Sequence, residues 1–449
     1  MNKKRSIDML HGPLTGKIIF FALPVALSSM LQQLFNAADT SVVGHFGNAN
    51  ALAAVGTNGE IVALLVTLSA GLAVGANVLI ARYIGEGKLS AVSEALHTAV
   101  MLAVVCGILG AVLGQFLSGP LLRAIHTPGN VLDSAVLYLR IYFLGYPFLM
   151  LYDFGSAILR SKGDSRRPFL ALTVSGVINV LLNLFLVVVC RLGVAGVAIA
   201  TDLATGFSAF MVLYWLTKEP DEFHLSLRDL RISRQNLLSI LVTGIPAAIQ
   251  GAVFCFANIF VQASVNSFGA VATACSTIAM NFEYFGYYMI TAFGQAATTF
   301  TSQNFAAGQK KRCRQILGIC ILFSVLFCSV ITVPLTVWCH AASRIFSSEQ
   351  AVIDAACVRI LLILIWEPIC CFYEIPAGFL RGMGHSTLPA VLTVLGTCVL
   401  RIVWIFTVFR HYHTLESLFV VFPVSWVVTI LLTMCGVVYV SVRTDSLRA

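Results

Sequence analysis

Long apolar stretches alternate with short polar breaks along the whole chain. Twelve spans are predicted, at 17–43, 52–80, 93–118, 132–158, 168–190, 194–217, 236–265, 275–300, 313–338, 352–378, 388–410 and 415–441. About twenty apolar residues in a helix suffice to cross roughly 30 Å of hydrocarbon. Strand-like alternation of apolar and polar residues is nearly absent, which argues against a barrel. The first and seventh spans each carry an early proline, Pro24 and Pro246, where kinks or tilt are expected. The pattern predicts an all-α integral membrane protein.

The pattern also repeats. Leu159-Arg160-Ser161-Lys162-Gly163-Asp164-Ser165-Arg166-Arg167-Pro168 returns as Leu380-Arg381-Gly382-Met383-Gly384-His385-Ser386-Thr387-Leu388-Pro389. Pro147 falls on Pro368 and Asp153 on Glu374 at the same spacing, while Pro24, Asn36 and Gly47 fall on Pro246, Asn258 and Gly269. A repeat this long is a whole lobe, as in many secondary transporters. The division expected is an N-terminal lobe at 1–217, a polar cytoplasmic linker at 218–235 and a C-terminal lobe at 236–449. Six spans per lobe make the repeats parallel, and a substrate cavity is expected between them. The repeated loops themselves read as tight cytoplasmic hairpins, with glycine in the turn and proline opening the next helix.

Charge then sets the orientation. Charged residues are 11% of the chain and hydrophobic residues 58%. A soluble surface would need about 25% charged. With the N-terminus inside, Lys and Arg concentrate on inner segments. Outer segments hold only Arg123, Arg191, Arg344 and Arg410. This bias places both termini in the cytoplasm of a multi-pass cell-membrane protein. The net charge of +8 is scattered over short loops, so it does not read as nucleic-acid binding. No cleavage site follows a short apolar core, so no cleaved signal peptide is expected. The thirteen cysteines lack zinc or redox spacing and read as small buried apolar residues. His11, His45, His97 and His126 sit near span ends or in loops and read as solvated.

Ionisable groups inside spans are few and informative. Asp39 lies in span one, and its repeat counterpart is Val261, so only this lobe carries the acid. Asn179 and Asn183, four apart in span five, share a helix face. Thr201 follows in span six. Together they offer hard oxygen ligands for a small cation, or a carboxylate that carries a proton. Asn36 and Asp202 are secondary candidates. The competing reading is interhelical hydrogen bonding alone. In the second lobe Glu283, flanked by Tyr284 and Tyr287, suits an organic cation, with Glu60 as its counterpart in the first lobe. An interfacial acid in an aromatic belt is the alternative. Glu367 and Glu374 in span ten, with Arg401 in span eleven, are expected to form a structural ion pair. Arg140 and Arg359 are expected to snorkel or pair. No metal is expected apart from Na⁺ at Asp39, and no cofactor.

No phosphate-binding loop and no catalytic constellation is present, so the chain does not read as an enzyme. Transport would have to run on an ion gradient. The chain resembles the multidrug and toxic compound extrusion (MATE) transporters, and among them the bacterial DNA-damage-inducible F-like branch. The likeness rests on Pro24 through Asn36 to Asp39, the repeated Leu-Arg-x-x-Gly-x-x-x-x-Pro loops, Gln303-Asn304-Phe305-Ala306-Ala307-Gly308, and Asn179 with Asn183. The resemblance implies a V-shaped pair of six-helix bundles around a central cavity. It implies export of organic, often cationic, compounds in exchange for H⁺ or Na⁺ by alternating access. It maps a cation site onto Asp39, Asn179, Asn183 and Thr201. Some members carry aspartate where this chain has Asn183. A monomer would suffice, with a small organic molecule and the bilayer as its partners. Two alternatives stay open: a lipid-linked oligosaccharide flippase of the same superfamily, and a non-transporting membrane scaffold.

Overall fold

The structure is a computed structural model that describes residues 6–46, 49–125 and 127–446. Gly47, His126, the basic residues Lys3, Lys4 and Arg5, and Arg448 lie outside the described residues. Among the described residues the chain is built of helices, with no strand. Twelve long helical segments run in order. They are α1 Leu14–Phe46, α2 Ala49–Gly85, α3 Leu89–Ala124, α4 Gly129–Ser161, α5 Arg166–Val189 and α6 Gly193–Thr217. The second set is α7 Arg234–Asn266, α8 Ala270–Ala306, α9 Lys310–Val337, α10 Gln350–Gly382, α11 Thr387–Tyr412 and α12 Leu415–Arg443. Eleven of the twelve are long and apolar enough to cross a membrane. The exception is α8, where Asn281, Glu283, Gln295 and a run of threonines dilute the apolar windows.

Helix lengths recur with the repeat. α1 and α7 each have 33 residues and α2 and α8 each have 37. The likeness extends to a local irregularity. α5 ends in a π-helical segment, Leu184–Val189, and α11 has one at the corresponding place, Ile405–Phe409. A π segment widens the helix by one residue and often marks a functional position. In the matched loops, Gly163 and Gly384 both take φ near +90°, at +96° and +90°, where a side chain would be strained. A Cβ at Gly163 would also meet the Ile7 carbonyl.

Packing divides the chain into two compact units. One holds Leu27–Ala248 with the described residues up to Asp8, and the other holds Met9–Ala26 with the described residues from Ile249 on. Both divisions within helices fall near the repeated prolines, Pro24 and Pro246. In the first unit α2 and α7 cross at close range through small residues. Gly71 and Gly75, spaced four apart, face Gly244 and Ala248, also four apart, and a Cβ at Gly75 would sit 2.2 Å from the Ile240 carbonyl oxygen. In the second unit buried Asn304 donates to the Met9 carbonyl at 3.1 Å, and Arg312 donates to the carbonyls of Met9, His11 and Gly12. This gives Asn304 of the sequence motif a structural task.

His97 is not solvated as its position near a span end had suggested. It is buried, with Nδ1 2.7 Å from the Ser93 carbonyl and Nε2 accepting from the Ser226 amide at 3.1 Å. A proton on Nδ1 satisfies both contacts, so the ring fastens the 218–235 segment to α3. The same segment is pinned by charge. Glu219 accepts from Lys162 at 2.6 Å and from Arg167 at 2.5 Å, and Arg167 also donates to Asp164. Burial alone would raise the Glu219 carboxyl, yet the two cationic donors outweigh it and hold it below its ordinary value.

Candidate functional site

The first unit brings Asp39, Asn179, Asn183 and Thr201 into one hydrogen-bonded cluster. Asn183 Nδ2 donates to Asp39 Oδ1 at 2.5 Å and lies 3.2 Å from Asn179 Oδ1. Thr201 Oγ1 sits 3.3 Å from Asp39 Oδ2, and Asn179 Nδ2 reaches that hydroxyl at 3.3 Å. Asp39 is 8% exposed and Asn183 fully buried. Asn183 Oδ1 is a buried oxygen with no hydrogen-bond partner among the described residues. A buried polar atom of that kind costs roughly 1–3 kcal/mol unless something answers it.

Helix geometry explains how the cluster assembles. On α5, Gly176, Asn179 and Asn183 lie on one face at spacings of three and four. On α1, Phe35 and Asp39 do the same. A Cβ at Gly176 would fall 1.7 Å from the Phe35 ring, so the missing side chain lets α1 approach α5. One turn further along, the same approach puts Asp39 against Asn183. The π segment begins at Leu184, directly after Asn183.

The secondary candidates sit elsewhere. Asn36 is exposed, and its carbonyl accepts from Thr40 at 3.0 Å; its side chain is not part of the cluster. Asp202 turns toward α4, where a Cβ on Gly145 would lie 2.0 Å from its carboxylate. Thr201 and Asp202 therefore serve different faces of α6. Sequence reasoning missed Tyr138, which stacks on Tyr142 at 6.4 Å and lies within electrostatic reach of both Asp39 and Asp202. Their spacing of four on α4 was the available signal. Glu60 is exposed on α2.

In the second unit two expectations need correction. Glu283 is not an acid left open to an organic cation. Arg359 holds it from two nitrogens, at 2.8 Å and 2.9 Å, and also donates to Ser276 at 2.5 Å. The rings near Glu283 in sequence serve other partners: Tyr284 stacks on Tyr288, and Tyr287 on Phe254. The expected ion pair of Glu367 and Glu374 with Arg401 is also absent among the described residues. Glu374 pairs with Arg381 at 3.6 Å. Arg401 is buried, donates to Ser425 at 3.2 Å and lies over the Phe422 ring at 4.3 Å. Among the described residues, one guanidinium nitrogen of Arg401 and Oε2 of Glu367 have no hydrogen-bond partner. The two carboxylates of α10 are taken up elsewhere: Glu367 turns its carboxylate to Gly286 of α8, and Glu374 faces Arg381 further along the same helix.

The family model MatE matches residues 24–185 and 246–407, one copy on each half of the repeat. The chain belongs to the MATE family of transporters. It is similar along most of its length to several named proteins. It is 28% identical over 422 residues to the probable multidrug resistance protein YoeA of Bacillus subtilis, covering 92% of this chain and 91% of that one. It is 26% identical to the probable multidrug resistance protein NorM of Thermotoga maritima, covering 88% and 86%. A protein named FAD transporter from Shewanella oneidensis is 24% identical over 79% of each chain. The fold matches a MOP superfamily transporter from Pyrococcus furiosus with a TM-score of 0.91 at 21% identity, over the full length of both. This MATE chain is thus a multi-pass membrane transporter built of two repeated halves, and its family is not one of enzymes.

Proposed function

We propose that the protein exports small organic compounds in exchange for a cation, with Asp39 as the group that the cation neutralises. The observation that carries this reading is the buried carboxylate of Asp39, held by Asn183 and Thr201. A charge so placed in a membrane protein is costly, and neutralising it changes which conformation is favoured. Ion binding and substrate binding then compete through the conformational equilibrium. The proton is the first choice of coupling ion, because a single carboxylate needs only one positive charge. Na⁺ is the second, favoured by the unpartnered Asn183 oxygen beside Asp39. In this reading 1–217 and 236–449 act as the two lobes, 218–235 joins them in the cytoplasm, and both termini are cytoplasmic.

The cargo is taken to be organic cations, as the names of several relatives as multidrug resistance proteins suggest. Buried Arg401 with a free nitrogen favours a second reading, a compound bearing an acidic group. The relative named FAD transporter is in keeping with it.

Efflux from proteoliposomes tests the proposal. A panel of fluorescent cationic and anionic dyes is loaded, and a Na⁺ or pH gradient is imposed on the parent and on Asp39→Asn. Efflux driven by one gradient and lost in the variant is the expected result. Equal efflux without Asp39 would overturn the assignment.

A further inference from the structure

We propose that Cys339, His340 and Cys357 form a binding site for a zinc-class divalent cation, which clamps the short helix after α9 onto α10. The ligand atoms of the three residues all lie within 4.8 Å of one another. Cys339 Sγ is 3.6 Å from His340 Nδ1. A tetrahedral zinc with bonds of about 2.3 Å to sulfur and about 2.0 Å to nitrogen has an S···N edge of about 3.5 Å. The side chains therefore stand close to ligating geometry.

The surroundings match a metal site as well. The other ring nitrogen, His340 Nε2, is 3.5 Å from Asp354 Oδ1, which also accepts from Gln350 at 2.8 Å. Metal-bound histidines characteristically direct the second nitrogen to a carboxylate, which fixes the ring and its tautomer. Asp354 is thus a positioning residue, and Gln350 holds it. Ser343, fully buried, has its hydroxyl beside the Cys357 sulfur. A thiolate at Cys357 would accept a hydrogen bond from that hydroxyl. The two cysteines are buried while His340 is 57% exposed, which gives the ion a way in. Two thiolates and an imidazole select zinc over magnesium or calcium, and a water completes the tetrahedron. On binding, the two thiol protons leave to solvent.

The short helix Cys339–Ser343 supplies two ligands and α10 supplies the third, so the ion would join two segments separated by a loop. This site shares no residue with the Asp39 cluster, so either can fail without the other. Both thiols are free in the structure, and a Cys339–Cys357 disulfide is the rival that would consume the same ligands.

The test uses the full chain purified in detergent under reducing conditions, with Zn²⁺ and Co²⁺ as probes. We expect one zinc per chain by elemental analysis after dialysis, and thiolate-to-cobalt absorption bands on Co²⁺ addition. Both are lost in Cys339→Ser and in Cys357→Ser. His340→Ala and Asp354→Asn weaken binding on the order of tenfold or more, while Cys435→Ser, an exposed cysteine elsewhere, retains it. Size-exclusion behaviour and thermal melts report whether the cysteine variants fold, and His340→Ala alters an exposed side chain and stays informative if they do not. The proposal is overturned if the reduced parent takes up no stoichiometric zinc. It is equally overturned if folded Cys339→Ser binds as the parent does, or if the intact mass of protein purified without reductant shows the Cys339–Cys357 disulfide.

Discussion

Asn183 spends its amide group on Asp39, at 2.5 Å, and leaves its own buried oxygen without a partner. The pair therefore presents a carboxylate and an unanswered carbonyl side by side. That arrangement suits a proton on Asp39, and it leaves an oxygen in place for a larger cation.

Asn183→Asp should shift the balance between the two. Two carboxylates in contact cannot both stay charged without a cation between them. The variant is expected to gain Na⁺ dependence in proteoliposome efflux while the parent keeps its own ion preference. Unchanged ion selectivity in an active, folded variant would show that position 183 does not touch the coupling ion.

Gly176→Ala should damage transport through position alone. The new methyl would overlap the Phe35 ring and push α1 from α5, one turn from Asp39. Overpacking of this kind typically costs about 1–3 kcal/mol of stability, so the variant should melt lower and its efflux should fall. Phe35→Ala in the same background opens the space again and should restore much of the rate. Full activity in Gly176→Ala alone would remove the positional argument.

The Glu283–Arg359 pair makes a stability prediction. The arginine side chain is 3% exposed and the glutamate 15%. Removing one partner leaves a buried charge, and Glu283→Gln should destabilise the second unit by about 3–5 kcal/mol. Glu283→Gln with Arg359→Met should lose less than Glu283→Gln does. Thermal melts of the two variants check this, and a double variant no better than the single would mean the pair is not the controlling contact.

Glu219 predicts an acid-side dependence. Its carboxyl sits below the ordinary value of 4.5 in the folded protein, because Lys162 and Arg167 outweigh the effect of burial. Its contribution is therefore present above that ordinary value and is lost as pH falls through the lower folded value. The melting advantage of the parent over Glu219→Gln should be constant near neutrality and shrink below about pH 4.5. A difference that does not vary with acid would rule this interaction out as the source.

Much of the fold was legible because apolar length and the spacing of prolines are direct consequences of a membrane and a duplication. Asp39 with Asn179 and Asn183 could be grouped because a spacing of four fixes a shared helix face and burial makes a lone acid conspicuous. Other contacts were not legible. Arg359 meets Glu283 across 76 positions, and nothing in either local sequence names the other. Glu367, Glu374 and Arg401 looked paired because an unpaired buried charge is costly, but Glu367 faces Gly286 of α8 and Glu374 faces Arg381, partners no local spacing announces. Cys357 lies on α10, well beyond Cys339 and His340, so no spacing motif could join the three. His97 looked solvated because the segment that covers it, around Ser226, is polar and irregular.

If Asp39 holds the coupling ion, one ion leaves it when substrate binds. That release is tested most directly by adding a transported compound to the purified protein in weak buffer, with a pH-sensitive dye and, in parallel, bound radioactive Na⁺. The parent should release one of these ions on substrate binding and Asp39→Asn none. Substrate binding that releases neither ion, or equal release from the folded variant, would contradict that role of Asp39.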